Sequence, residues 1–406
     1  MPEVSTDVAS HEMIGRRIAH ARKLRDLTQR ELAERVPCSK SLIAQVESGH
    51  KPATPSLIGA VAKALHVEVT ELTGQPYRGR TASTDRIHAT IPEIRQALVY
   101  WDVAPELDVP ARPLAELRAA ADEATRLRMS ARYVELGTML PALLKELTFH
   151  VHTVGGGDRG RVFSLLASAY SAADSMAHKL GYLDLYHLAV ERMAWAAGQS
   201  DDPLMSAVAD VRRSMAFMAS GAYSGGLSLL TRAKESLEDK LSDDSRVLSV
   251  YGTLYLRSAI LAARDGRSRA AWDHMGAARE VAARVRRDTK DYGLLFGPSN
   301  VAIHEVAVAV ELGDADEAIR RGADLELPAT LSAERTSHHY IDLGRAWLWE
   351  GKWEKALACV LQAETIAAQR TRYHPMARET VARLLDIQRR LPSPLRGLAR
   401  RMGDAA

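Results

Sequence analysis

Four residues of one short stretch carry the chemistry around which the rest of the chain can be organised. Lys40, Ser41, Ala44 and Gln45 fall within residues 39–48, SKSLIAQVES. Placed at 100° per residue they share one side of a helix with Ser48, while Leu42, Ile43 and Val46 share the other. The outer side is small, polar and singly charged. Such a face meets no steric or charge barrier in a DNA major groove, and Lys, Ser and Gln all hydrogen-bond base edges.

Two helices and a tight turn must hold that face. Thr28 can cap the first while Glu31, three residues on, reaches back to the cap's own N–H, a capping box. Leu32, Ala33 and Val36 give this helix its apolar side. Ser39 is a second cap candidate, and Gly49 follows where a helix ending at Ser48 needs a left-handed residue. Upstream, Ile14, Ile18, Ala21 and Leu24 recur at helical spacing.

With these flanks the stretch resembles the XRE (Cro/cI-type) helix-turn-helix family over about residues 14–74. Ile14-Gly-Arg-Arg-Ile18 through Arg25 resembles the family's first helix, Pro52-Ala-Thr-Pro55 the loop after its third, and residues 57–65 and 67–72 its fourth and fifth. The resemblance implies a five-helix, lambda-repressor-like DNA-binding domain. It implies base contacts from Lys40, Ser41, Ala44 and Gln45, and phosphate contacts from Gln29, Arg30, Ser39, His50 and Lys51. Arg22 and Glu47 match the family's internal pair, which ties the first helix to the third, so Glu47 is kept off the DNA. Pro37 stands where the family often has Gly. Proline holds φ near −65° and cannot turn left-handed, so this turn must be built differently.

At 406 residues the chain is too long for one core and long enough for two or three domains. No apolar run is long enough to cross a bilayer, and the start, Met-Pro-Glu-Val-Ser-Thr-Asp, lacks the basic and apolar regions of a signal peptide. A cytoplasmic, nucleoid-associated protein with no membrane contact is expected. The two cysteines, Cys38 and Cys359, offer neither a disulfide framework nor a metal spacing. Cys38 lies just before the outward-facing helix, where oxidation would disturb it, but a small half-buried residue is the simpler reading.

Charge is unevenly placed. Residues 1–80 hold 12 Lys and Arg against 9 Asp and Glu, and the remainder holds 42 of each, so the whole formal excess of +3 lies at the N-terminal end. Local basic excess is what phosphate contact requires. The excess is modest, which favours a homodimer setting two such helices about 34 Å apart on a pseudo-palindromic site in double-stranded DNA.

Residues 1–11 are polar and read as a flexible arm, 12–74 as the DNA-binding domain, and 75–90, with Pro, Gly, Ser and Thr and no apolar periodicity, as a linker. Residues 91–101 form a short amphipathic helix. From 114 to 391 the chain reads as helix after helix, with 392–406 a basic, solvated tail. A period can be counted in its second half. Gly221, Gly266, Gly313 and Gly351 each end one helical stretch and open another; five residues on stands Gly226, Ala271, Ala318 or Ala356, and six on Leu227, Trp272, Ile319 or Leu357. The intervals are 45, 47 and 38 residues, and the pattern resembles tetratricopeptide-like hairpins, degenerate before about Gly181. Small residues let paired helices approach, and each hairpin buries its other face on its neighbour. The fold expected is all-α, with the DNA-binding domain followed by a tetratricopeptide-like α-solenoid spanning 91–391.

That domain order resembles a broad class of bacterial regulators, including actinobacterial ones and peptide-sensing receptors, and implies an array that dimerises and holds a small-molecule or peptide effector in its groove. The heavy use of Ala and Arg fits the actinobacterial version. Asn300, the chain's one asparagine, and His304 share a face of a helix expected over 298–312. Two readings stand for them: an effector site, or an amide satisfied locally beside Pro298.

Other features carry less. His150 and His152 lack a third metal ligand, and the glycines after them neither follow a strand nor lead into a Gly-Lys-Ser/Thr sequence. His338 and His339 diverge by 100° on a helix, placing one towards the groove and one towards solvent. Trp347, Trp349 and Trp353 read as packing across a hairpin. No nucleophile–base pair, paired carboxylates, metal spacing or phosphate loop is found, so neither enzyme nor cofactor is expected. Two functions remain: a sequence-specific transcription regulator with a sensory array, or a protein-interaction scaffold that its N-terminal domain localises to DNA.

Overall fold

The computed structural model describes residues 13–78, 82–387 and 392–403, with backbone alone for 82–84. Among them every element is helical, apart from one isolated bridge between Thr289 and Phe296. The N-terminal domain holds α1 (Ile14–Lys23), α2 (Gln29–Arg35), α3 (Lys40–Glu47), α4 (Pro55–Leu65) and α5 (Val69–Thr73). Two short helices follow, α6 (Ala82–Ala89) and α7 (Ile91–Val99). Hairpins come next: α8 (Leu114–Met129) with α9 (Tyr133–Thr153), α10 (Arg159–Leu180) with α11 (Leu183–Gly198), and α12 (Met205–Ala219) with α13 (Tyr223–Glu235). Three more complete the array: α14 (Ser245–Arg264) with α15 (Ser268–Val285), α16 (Pro298–Glu311) with α17 (Ala315–Gly322), and α18 (Ala333–Trp349) with α19 (Trp353–Ile366). Then α20 (Ala368–Tyr373), α21 (Pro375–Ile387) and α22 (Ser393–Arg401) close the chain.

The caps are those the sequence promises. Thr28 Oγ1 accepts from Glu31 N at 3.2 Å while Thr28 N donates to Glu31 Oε2 at 2.7 Å, and Ser39 Oγ accepts from Leu42 N at 3.1 Å. Each such cap satisfies an N–H that the first turn leaves without a partner. Gly221, Gly266, Gly313 and Gly351 sit between paired helices with φ of 69°, 73°, 77° and 68°. That left-handed turn is what a side chain resists and glycine does not. The small residues five positions on, Gly226, Ala271, Ala318 and Ala356, are all buried. At Gly226 a Cβ would already press on Phe217 and Leu261 at 3.0 Å.

Several expectations are corrected. The periodicity does not fade before Gly181: α8 and α9 are joined in the same way, with Ala131 in the left-handed position at φ 55°. Alanine there hides the glycine signal. Much of the stretch expected to be a linker is packed structure; α6 falls inside it, and buried His88 bonds Tyr182 Oη at 2.9 Å and the Tyr77 carbonyl at 2.9 Å. The expected tail likewise folds back as α22, burying Leu395, Leu398 and Ala399, while Arg401 pairs with Glu364. Leu24 caps α1 with 63% of its surface exposed instead of joining the core. The N-terminal arm, residues 79–81, 388–391 and 404–406 lie outside the described residues.

One core does not end where the first domain ends. Ile14, Ile18, Leu32, Ile43, Leu65 and Leu72 belong to the same apolar cluster as Ile341, Val360, Val381, Leu384 and Leu395. The DNA-binding domain is therefore seated on the far end of the chain. Ile14 N donates to Glu379 Oε2 at 3.1 Å, a buried bond from α1 to α21. On its other side Ser56 Oγ of α4 donates to the Arg264 carbonyl at 2.6 Å. Among the described residues no helix is long and apolar enough to cross a membrane.

Candidate nucleic-acid interface and the cavity behind it

The outward face of α3 is built from inside. Arg22 of α1 donates through Nε to Glu47 Oε1 at 2.6 Å and through Nη2 to Glu47 Oε2 at 2.8 Å, while its Nη1 reaches the Leu27 carbonyl at 2.6 Å. The pair is nearly dry, with side-chain exposures of 10% and 5%. The bond to Glu47 raises the guanidinium's pKa, against the opposing effect of burial. Bidentate geometry fixes both distance and angle between the first and third helices. Gln29 joins this cluster, its Nε2 donating to Glu47 Oε2 at 2.9 Å. The amide expected on a phosphate thus has an internal partner, because Glu47 keeps a lone pair that Arg22 leaves open. Gly15 lets α1 approach α3 so closely that a Cβ there would collide with the Val46 carbonyl.

Outside this clamp, Lys40 and Ser41 are exposed, Ala44 and Gln45 half-buried, and Ile43 and Val46 buried. Gln45 Nε2 donates to Ser41 Oγ at 3.1 Å, so two of the expected base-reading groups are already aligned. Ser39, Arg30, His50 and Lys51 flank them, all exposed. His50 Nδ1 meets Ser48 Oγ at 2.7 Å, and Lys51 N donates to the Gln45 carbonyl at 2.9 Å, which hold that edge in place. Arg30 pairs with Glu34 in an exposed contact at 3.1 Å that a phosphate can readily displace. The turn solves the Pro37 problem without a left-handed residue. Val36 takes an extended conformation, φ −123° and ψ 150°, and Cys38 N bonds the Val36 carbonyl at 2.7 Å. Cys38 is half-buried, and burial pushes its thiol up, away from reactive thiolate.

Asn300 and His304 are brought together, and with company the sequence did not reveal. Both are buried on α16 and line a cavity of about 260 Å³ inside the array. Asn300 Nδ2 donates to the Leu295 carbonyl at 2.5 Å and His304 Nδ1 meets the Asn300 carbonyl at 2.8 Å, yet Asn300 Oδ1 is buried with no partner. Arg257, Arg335, Arg370, Lys179 and Glu334 share the wall. So do Pro55, Ile58, Gly59, Val69, Thr70 and Thr73, from α4 and α5 of the DNA-binding domain. One signal was available for Arg257: it interrupts a run of largely apolar residues on α14. His338 faces this cavity as expected, its Nδ1 accepting from Arg370 Nη2 at 2.9 Å. His339 does not face solvent; it is 1% exposed, packed near Gly322, because α17 covers that side of α18.

The remaining candidates resolve as packing. Lys355 Nζ stacks 4.0 Å from the Trp347 ring and Arg345 5.3 Å from Trp349. His150 and His152 bond separate carbonyls, those of Arg112 and Trp101, and no metal-holding group of side chains occurs among the described residues.

Fold and site together define a helix-turn-helix DNA-binding domain seated on an array of helical hairpins, with a cavity between them lined by both apolar and charged side chains. Residues 14–73 match a family described as a helix-turn-helix domain. Among curated proteins none matches the chain significantly. Among solved structures the chain is similar to BtubC (BKLC) from P. vanneervenii, at 16% identity over 68% of this chain and 96% of that one, with a TM-score of 0.35. It is also similar to PlcR of Bacillus thuringiensis, solved with the peptide PapR7 and DNA, at 13% identity over 88% and 99% with a TM-score of 0.31. A third is the apo competence regulator ComR of Streptococcus vestibularis, at 12% identity over 66% and 91% with a TM-score of 0.21. With TM-scores below 0.5 these likenesses carry no weight, and the architecture rests on the helices themselves.

Proposed function

We propose that this chain is a sequence-specific transcription regulator of the XRE type that binds a two-fold DNA site as a homodimer, its tetratricopeptide-like array serving as the sensory part. The observation that carries the reading is the shared wall: helices of the DNA-binding domain line the same cavity as the array. A scaffold merely localised to DNA has no use for such a wall, whereas a sensor needs its ligand to touch what it controls. Base reading falls to Lys40, Ser41 and Gln45, with phosphate contacts from Arg30, Ser39, His50 and Lys51 and the N-terminus of α2.

The test is selection of bound sequences from a random duplex library with the full-length protein, repeated with the Lys40→Ala, Ser41→Ala, Gln45→Ala triple variant. The wild type should return a palindromic motif with half-sites about one helical turn apart. The variant should lose that motif while its Tm stays within a few °C, since Lys40 and Ser41 are exposed and Gln45 is half-buried, bonding only Ser41. A motif retained by the triple variant refutes the assignment of the face, and no motif from either refutes sequence-specific regulation.

A further inference from the structure

The cavity wall carries more positive charge than its own carboxylates can balance. Arg212 is paired with Asp174, which is fully buried behind it. Arg264 Nη2 meets Glu311 at 2.8 Å. Lys179 and Arg370 then share the single carboxylate of Glu334, at 3.4 and 3.2 Å. Among the described residues the Arg128 guanidinium bonds the Gly293 carbonyl alone, at 2.5 Å. Arg257 and Arg335 both line the cavity, half-buried, and among the described residues neither guanidinium has a hydrogen-bond or ion-pair partner. Four cationic charges are thus left over around one pocket that is partly open to solvent.

Such an arrangement is costly by itself. Removing an ion from water costs several kcal/mol unless a counter-charge or hydrogen bonds compensate. The strain is visible in the protonation equilibria: burial, then repulsion from Arg335 and Arg212, brings the Arg257 guanidinium down to about 9, and burial lowers Arg335 despite Glu334 beside it. Glu334, which burial alone would raise, is instead held well below the usual carboxylate range by Lys179, Arg370, Arg335 and Arg128. The site lacks an anion. It also lacks a donor, since Asn300 Oδ1 faces no N–H or O–H.

We propose that the cavity binds a small polyanion, bearing two or more phosphate or carboxylate groups and a hydroxyl or N–H donor, with Arg257 and Arg335 clamping the charge and Asn300 Oδ1 accepting from the donor. The volume of about 260 Å³ lies below the ~300–1,000 Å³ of pockets that hold drug-sized ligands. That size suits a compact metabolite. Guanidinium groups suit either anion, because their planar forks match the oxygen spacing of carboxylate and phosphate alike. This rests on reading the array as the sensory part of a regulator and names the chemistry that it senses.

The test is thermal unfolding of the full-length protein, without DNA, titrated with pyrophosphate and in parallel with citrate, each against sodium chloride at matched ionic strength. A Tm rise that saturates with one anion and exceeds the chloride control is expected, and the anion that gives it identifies phosphate or carboxylate as the recognised group. Arg257→Gln and Arg335→Gln should abolish the rise while leaving the ligand-free Tm unchanged or higher, because each removes a charge from a wall with a cationic excess and breaks no ion pair. Arg257→Lys should keep part of it. Flat titrations with both anions overturn the proposal, as does a ligand-free Tm lowered by both glutamine variants, which would make the arginines structural. DNA binding is scored separately by the library selection, so an anion-dependent Tm without a DNA motif keeps the site and discards the regulator.

Discussion

Removing the Glu47 carboxylate alone should loosen the DNA-binding domain nearly as much as removing the whole pair. Glu47→Ala leaves Arg22 with the Leu27 carbonyl alone, and strands the Gln29 amide as well. Both side chains are 10% exposed or less, so solvent cannot replace the lost acceptor and no large discount for screening applies. Breaking a buried pair from one side costs about 3–5 kcal/mol. Arg22→Leu strands Glu47 in the same way. The double variant Arg22→Leu, Glu47→Leu strands no charge, so it should cost little more than either single change, with a coupling of about 2–3 kcal/mol against additivity.

All six tryptophans lie beyond residue 100, so intrinsic fluorescence reports the array and not this domain. Native-state hydrogen exchange read peptide by peptide does report it. Exchange over α1, α2 and α3 should accelerate about a hundredfold to several thousandfold in each single variant, taking 1.4 kcal/mol as a factor of ten. Peptides from α8 to α15 should not change. If both single variants accelerate exchange less than about tenfold, or if the double variant is additive, the claim that this pair sets the angle of α3 is refuted.

Two further expectations concern the array and its seat. Burial first, then neighbouring cations, holds His178, His304, His338 and His374 well below the ordinary range and thus neutral in the fold. The unfolded chain protonates each near about 6.5, so it binds more protons and stability falls as pH drops below that value, by up to about 1.4 kcal/mol per pH unit for each. Burial pushes the Asp342 carboxyl up to about 6 and raises Asp174, Asp210 and Glu379 too, which works the other way, but it also lowers His88, His274 and His339, so seven histidines stand against four carboxyls. The Tm should therefore drop steeply between pH 7 and pH 5, and less so in His304→Gln; a flat profile refutes the neutral assignment. Separately, a Cβ on Gly59 would stand 2.5 Å from the Tyr223 hydroxyl. Gly59→Leu should lift α4 off the array at about 1–3 kcal/mol, raising exchange at α4 and at the start of α13, and unaltered protection there would show that the seat is not tightly packed.

What could be read in advance follows a physical divide. The helix-turn-helix elements were legible because local rules dictate them: a capping box at Thr28, a second cap at Ser39, a left-handed Gly49. The glycine period was legible for the same reason, and it failed at Ala131 because the backbone there takes the same turn without the residue that announces it. Asn300 and His304 stood out by rarity and helical spacing. Arg335 and Arg370 did not, since the chain is rich in arginine and only folding shows which guanidinium meets a carboxylate; Arg257 showed only as a charge in a largely apolar run. The seating of α22 was hidden for a related reason. Leu395, Leu398 and Met402 are spaced for one buried side, but the apolar partners that cover it lie on α19 and α21, tens of residues earlier.

The seat of the DNA-binding domain explains how a ligand in the array could matter to DNA at all. A ligand moves a conformational equilibrium only by binding two states with different affinity. A cavity walled by the array alone would bind its ligand equally well wherever the first domain sat. Here α4 and α5 complete the wall, and Arg264 ties the two parts at one residue: its carbonyl accepts from Ser56 of α4, while its guanidinium meets Glu311 at the cavity. On the proposed reading, filling the space would act on the position of α4, and through the shared core of the first domain on the direction in which α3 faces. By reciprocity, whatever site α3 finds on DNA must change the affinity for the ligand by the same factor.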